Sequence, residues 1–426
     1  MTTTIPRDPA PDATAALARR GYDFVAERCR RLGTDAFETR LLLRRAVCAR
    51  GAEAARVFYE PGRFTRNGAV PRPALRLVQD VGSVATLDGA AHARRKRMFV
   101  ALLMDRAGIA RLGDLVEAEW RAGVRRWAAR PGATAEVFRD ASEVLCRAVC
   151  AWSAVPLGPG EAEERTRAFF AMVDGTGSVG LRHLRGAWLR ARTERWARSL
   201  VRRVRSGDLP APEGSALRVI AEHRDLDGGL LDEVTAGVEL INVLRPTVAV
   251  GRYVGFAAIA LHTHPEWRER LARGGTEAEY DAFAQEVRRF YPFVPAVAGR
   301  ALAPFEWRGR RFGRGDLMLL DLTATDRDGR LWDAPDAFRP GRFLGTGAER
   351  DPFALVSHGG GGHETGHRCP GEWITVEVTK RAVRGLAEAM RYDVPTGQEL
   401  GLDPARMPAL PRGGGLRIEN VAPVGG

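Results

Sequence analysis

Lysine is almost missing from this chain. Of its 65 basic residues only Lys96 and Lys380 are lysines, and arginine supplies the rest. The net charge of +12 invites a nucleic-acid reading. The arginines are scattered over helix faces, with no zinc-finger or aromatic–basic motif beside them, so no nucleic-acid partner is expected. Long apolar runs are also missing. None approaches the roughly 20 residues that a bilayer span needs, so no membrane partner is expected. The opening MTTTIPRDPAPDATAALARRGYDF lacks the basic-then-apolar order of a secretory leader. A cytoplasmic location is the expectation. Cysteine is sparse: Cys29, Cys48, Cys146, Cys150 and Cys369 do not make a disulfide framework for 426 residues. Cys146 and Cys150, four apart in EVLCRAVCAW, have no histidine pair nearby and read as small buried residues rather than metal ligands.

What is present is mostly helical text. Residues 1–15, rich in Pro, Thr and Asp, are expected to be a loose, disordered tail, and 16–426 a single domain. From Ala16 to Ala272 the apolar spacing is helical, punctuated by turns at Pro61–Gly62, Asp88–Gly89, Pro156–Gly160 and Asp227–Gly229. FEWRGRRF and DLMLLDL suggest a β-hairpin turning at Gly313–Gly315. An irregular stretch, TATDRDGRLWDAPDAFRPGRF, leads to the glycine-rich SHGGGGHETGHRCPGE, after which a helix resumes from Trp373 to Met390. The fold class is therefore mainly α with a minor β part.

Cys369 lies in a tight loop immediately before that last helix. A helix N-terminus favours an anionic sulfur, and glycines at 359–362, 366 and 371 let the backbone pass close to a flat object. An axial haem ligand needs such a sulfur. A catalytic nucleophile, or an inert thiol beside a flexible loop, fits the same segment. Upstream, Glu286 and Arg289 in QEVRRF share one helical face, and FRPGRF supplies a second cation, Arg342.

In this order, E-x-x-R, P-x-R-F and G-x-R-C-P-G resemble the cytochrome P-450 family. The resemblance implies a P-450 fold over 16–426, Cys369 as the axial ligand of the iron of haem b, and a structural cluster of Glu286, Arg289 and Arg342. Against that background LRPTVAV stands out. An ordinary P-450 monooxygenase carries an acid and an alcohol at this point of its long helix, to relay protons. Here Arg245 is followed by Pro246, Glu239 lies nearly two turns earlier, and Thr247 is the nearby hydroxyl.

Further blocks, NVLRPTVAVGRYVGFAAIALH, GGGGHETGHRCPGE, QEVRRFYPFVP, and FTRNGAVP with LDGAAHARRKRMF, are similar to the fatty-acid peroxygenase branch of the superfamily. They span about Phe64 to Glu377. That similarity implies H2O2 as oxidant, a small-molecule carboxylic acid as substrate, and no obligatory redox partner. Arg245 would hold the carboxylate, Pro246 would distort the helix above the iron, and the substrate would itself supply the missing acid–base group. Hydroxylation at the α or β carbon is expected, with decarboxylation as the other outcome. A structural Arg–Pro kink with Arg245 paired to an internal carboxylate is the alternative. For the whole protein the alternatives are a reductase-dependent monooxygenase of secondary metabolism, a haem protein that binds acids without oxidising them, and a thiol enzyme without haem.

Arg66, His92, Lys96 and Arg368 are expected to contact the haem, the first three at its propionates. His358, His363 and His367 read as loop residues, lacking carboxylate partners. Ala85 departs from the branch: a histidine or glutamine that faces the active centre is usual there, and alanine can neither bond nor relay a proton. LDLTATDRD departs as well, so a non-standard acid substrate stays open.

Overall fold

The longest apolar stretch, Glu233 to Thr263, passes through the protein, and its most apolar 18 residues are 94% buried. The structure, a computed structural model, describes residues 4–424 apart from 80–81, 131, 133 and 346–350. Asp232 starts this stretch by accepting from the N–H groups of Val234 and Thr235, both at 2.9 Å. Proline lacks the N–H that would continue the ladder from Pro246. One turn later helix Glu233–Ala249 ends and, past Val250, helix Gly251–Thr263 carries on. Gly251 is demanded by the packing: a Cβ there would lie 2.2 Å from the hydroxyl of Ser142 on helix Val137–Trp152. Cys146 and Cys150 sit on that same helix, both fully buried in the main apolar core.

The β part forms a five-stranded sheet with a three-stranded and a two-stranded one. The largest runs in the order Ala36–Leu41, Arg44–Ala49, Leu317–Asp321, Ala296–Ala301, Phe64–Thr65. Leu317–Asp321 lies parallel to Arg44–Ala49 and antiparallel to Ala296–Ala301, which suits a central strand that is apolar on both faces. The protein is thus mainly α with a minor β part.

Three expectations are corrected. The hairpin does not turn at Gly313–Gly315. Phe305–Trp307 pairs with Arg310–Phe312 inside FEWRGRRF, across Arg308 and Gly309 at φ 49° and 68°. Two left-handed residues are what a two-residue hairpin turn needs. Second, Ala36–Ala49, read as helical, is a strand pair whose turn is Leu42–Leu43, also left-handed at φ 51° and 60°.

Third, the expected tail is docked along its described part; residues 1–3 lie outside the described residues. The chain exchanges backbone hydrogen bonds of 2.8 Å with Glu38 through Pro6 and Asp8, and Ala13 donates to the Arg40 carbonyl at 2.8 Å. Buried Asp8 takes the Arg28 Nε at 2.6 Å. An unpaired sheet edge thereby gains a partner, and the composition of the segment does not show it. Asp8→Ala leaves Arg28 buried without its partner, at an expected cost of about 3 kcal/mol in a urea titration. A loss below about 0.5 kcal/mol, the range of surface changes, would restore the loose-tail reading.

Candidate active site

Cys369 ends the glycine loop, with its N–H on the His358 carbonyl at 2.9 Å, and helix Glu372–Ala387 begins three residues later. The loop crosses Tyr59 and Phe353 so closely that a Cβ on Gly360 would meet their rings at 2.9 and 2.7 Å. Burial pushes the Cys369 thiol up, against the N–H of Gly371 and the charge of Lys96. Coordination to a cation would favour the thiolate.

Glu372 gathers the cations of the loop. Arg288 reaches it at 2.6 Å, Arg368 at 2.7 and 3.2 Å, and His363 at 3.1 Å. Although burial opposes it, Arg288 and these hydrogen bonds hold the Glu372 carboxyl far below its usual range. One sequence expectation changes here: His363 does have a carboxylate partner. Arg368 turns its guanidinium to the same carboxylate. His358 is half-buried beside Arg288, which approaches its Nδ1 at 3.1 Å, and its Nε2 lies 3.2 Å from the Thr375 hydroxyl. Glu372 lies in the quoted motif, yet i,i+4 pairing with Arg368 is the one local signal that marks it.

Beneath the loop, Glu286 and Arg289 meet in a two-point ion pair at 2.7 and 2.8 Å, with both side chains fully buried. Arg342 adds a contact of 3.2 Å to the same carboxylate. Arg289 also donates to the carbonyls of Asp326, Pro335 and Ala337. The irregular segment is thus held by guanidinium groups, not by a backbone ladder.

On the other side of the loop, basic groups collect. The Thr65 hydroxyl donates to Asp88 at 2.6 Å, which brings Arg66 beside helix Gly89–Leu103. His92 on that helix packs its ring against His367, centroids 4.3 Å apart. Lys96, one turn on, donates to the Arg368 carbonyl at 2.5 Å. Burial lowers all four, taking Lys96 to about 8 and His367 to about 3, and His92, Lys96 and Arg66 add to the depression of His367. Among the described residues none of the four forms an ion pair with a carboxylate. A thiol flanked by Arg66 and Lys96, neither of them paired with a carboxylate among the described residues, fits an iron porphyrin: the sulfur suits the metal, and these two cations with the imidazole N–H groups suit the propionates.

Arg245 is 5% exposed and has no carboxylate within ion-pair distance among the described residues. Its hydrogen bonds are long: 3.5 Å to the Leu77 carbonyl and 3.3 Å to Asn242 Oδ1. Burial, then the charge of Arg190, disfavours its protonated form. The nearest acid in its own helix, Glu239, is already engaged by Val84 N–H at 2.7 Å, Arg95 at 3.2 Å and Asn242 Nδ2 at 2.9 Å. Asn242 therefore links Glu239 to Arg245 along one helix face, and sequence reasoning passed over it. Arg190, some fifty positions upstream, was passed over too, because nothing local marks it.

The Glu239–Val84 bond holds the turn containing half-buried Ala85 against the Arg245 helix. Thr247 spends its hydroxyl on the Val243 carbonyl at 2.9 Å. Farther along, Tyr253 stacks 6.0 Å from His358, so the broken helix passes beside the Cys369 loop.

Residues 280–375 match the family Cytochrome P450. A putative cytochrome P450 137 of Mycobacterium tuberculosis is 26% identical over 335 residues, 74% of this chain and 69% of its own. Cytochrome P450 3A15 of Cavia porcellus is 34% identical over 87 residues, which is 17% of that relative's length. Solved structures match over nearly everything. Cytochrome P450SP alpha in complex with (R)-ibuprophen is 42% identical at a TM-score of 0.92, covering 97% of this chain and 99% of that one. Cytochrome P450EX alpha with myristic acid is 39% identical at 0.92, covering 99% and 100%. An OleT variant with arachidonic acid is 31% identical at 0.94, covering 99% of each. The chain is an oxidoreductase that belongs to the cytochrome P450 superfamily, in its fatty-acid peroxygenase branch, CYP152.

Proposed function

We propose that the protein is a haem-thiolate peroxygenase that uses H2O2 to hydroxylate a carboxylic acid at its α or β carbon. One observation carries this reading: Arg245 is a buried cation, on the helix that passes the Cys369 loop, with no carboxylate to meet it among the described residues. An unpaired guanidinium in an apolar surround is costly until an anion arrives. A substrate carboxylate fits its fork, and myristic acid, arachidonic acid and (R)-ibuprophen, the molecules bound in three related structures, are all carboxylic acids.

Bound at Cys369, the haem supplies peroxide activation and oxidation of a C–H bond, with the thiolate donating electron density that favours O–O cleavage. Arg66, His92 and Lys96 would take its propionates. Arg245 orients the acid so that the carbons next to its head lie nearest the haem. Pro246 weakens the helix beside Arg245 and would give the acid room there. The held carboxylate accepts a proton from H2O2 and gives it back as the O–O bond breaks. Ala85 adds no polar group to this relay, so neither hydroxylation nor decarboxylation is favoured from that position.

The second reading is a reductase-dependent monooxygenase. It needs a proton relay in the protein, and the hydroxyl proton of Thr247 is committed to Val243. The two are separated by turnover of an acid panel with peroxide alone and with NAD(P)H plus redox partners. Product with peroxide is expected, and product under the second condition only would overturn the proposal.

Asn242 acts as a positioning residue for Arg245. Asn242→Leu is expected to raise KM for the acid about tenfold or less, the worth of a single hydrogen bond to a charged group. Stability should fall by about 1 kcal/mol, because Glu239 retains Arg95 and Val84. An unchanged KM would remove Asn242 from the site.

A further inference from the structure

Helices Arg72–Val78 and Leu181–Ser206 face each other across a cavity of about 730 Å³. Arg72, Arg76, Leu77, His183, Ala187 and Arg190 line it, and among the described residues no acidic one does. Arg72 and Arg76 are exposed, whereas Arg190 is 1% exposed. Its Nε donates to Glu194 at 2.7 Å, but among the described residues neither Nη1 nor Nη2 has a hydrogen-bond partner. Two buried N–H-bearing nitrogens of a charged group, left unmet beside a cavity, are a standing cost that an anion in that cavity would relieve.

The position of this cation matters for the reaction. Leu77 lines the cavity with Arg190, while its carbonyl accepts from Arg245. The charge of Arg190 reaches Arg245, so a guanidinium with no carboxylate among the described residues and one that Glu194 meets only at Nε repel each other on either side of one leucine. A substrate with one anionic group would neutralise one of them. Its apolar end, if it reached the cavity, would leave the Arg190 donors unmet.

We infer that the floor of this cavity is a second anion site, and that the acid this enzyme oxidises carries two carboxylates, one held at Arg245 and the other at Arg190. The inference rests on the reading that Arg245 holds the first. The fork of Nη1 and Nη2 suits a second carboxylate as it suits the first. The volume is that of a small-molecule pocket, and Leu77 and Ala187 offer apolar wall to a carbon chain. Arg72 and Arg76 add positive charge around the same cavity, which draws a doubly charged acid more strongly than a singly charged one.

The test is calorimetric titration of the haem-loaded protein with straight-chain diacids, from adipic to hexadecanedioic acid, beside monoacids of equal length. In the wild type the diacid is expected to bind at least about tenfold more tightly than its monoacid. The advantage should peak at one chain length, because the two cations are fixed in space. In Arg190→Gln the ratio should fall to about one. A ratio near one at every length in the wild type, or a ratio that survives Arg190→Gln, overturns the inference. The length optimum is read in the unaltered protein, so the test stands even if the variant fails to fold. Arg245→Ala separates the two claims: monoacid affinity that survives it sinks the Arg245 anchor, while the diacid ratio still reports on Arg190.

Discussion

Replacing Arg245 with alanine is expected to leave the haem in place and to lower peroxide-driven oxidation of carboxylic acids by about 10²- to 10⁴-fold. Two losses combine. The acid no longer has a fixed charge to orient it, and the proton relay that it brings is no longer held near the haem. The Cys369 loop is untouched, because the hydrogen bonds of Arg245 go to Leu77 and Asn242. Stability supplies a second readout with the opposite sign. Arg245 is a buried cation repelled by Arg190, so its removal is expected to hold or raise the urea midpoint. Arg245→Lys keeps a charge but not the fork, and should fall between the wild type and alanine. A fully active alanine variant would end the anchoring role. One that loses both activity and stability would return Arg245 to a structural role.

What was legible in the sequence was local. QEVRRF, FRPGRF and GHRCPGE each place their chemistry within a few residues, and Glu286, Arg289 and Arg342 meet as those motifs imply. The Arg245–Pro246 pair drew attention because both residues contradict the apolar helix around them. What failed was set by partners distant in sequence. Leu42 and Leu43 form a left-handed hairpin turn, 57% and 80% exposed, with none of the Gly or Asn that normally announces one. Asp8 looks like tail composition until the sheet edge at Glu38 and the guanidinium of Arg28 are beside it. Arg190 is one arginine among many on a basic helix, and only its two unmet Nη nitrogens at a cavity set it apart.

Glu286→Gln is expected to have the largest effect on the fold, about 3–5 kcal/mol, with loss of haem. The wild-type carboxylate is fully buried and neutralises Arg289 through two contacts, while Arg342 and the Arg339 N–H share it, the latter at 2.7 Å. Glutamine keeps the shape, removes the charge, and leaves two guanidinium groups facing each other with nothing between them. The damage should travel. Arg289 pins the carbonyls of Asp326, Pro335 and Ala337, and this segment in turn holds the approach to the glycine loop. Asp326 accepts from the Val356 N–H at 2.6 Å, and Trp332 donates to the Ala354 carbonyl at 3.1 Å. The next residues lead to His358, whose carbonyl receives the Cys369 N–H. An exposed pair provides the contrast: Arg202 and Glu233 lie 2.7 Å apart with side chains 67% and 38% exposed, and Glu233→Gln should cost about 1 kcal/mol or less. Haem absorbance per protein and urea midpoints measure both variants. If Glu286→Gln keeps its haem and costs no more than the exposed pair, the cluster does not hold the loop, and some other contact must keep Cys369 in place.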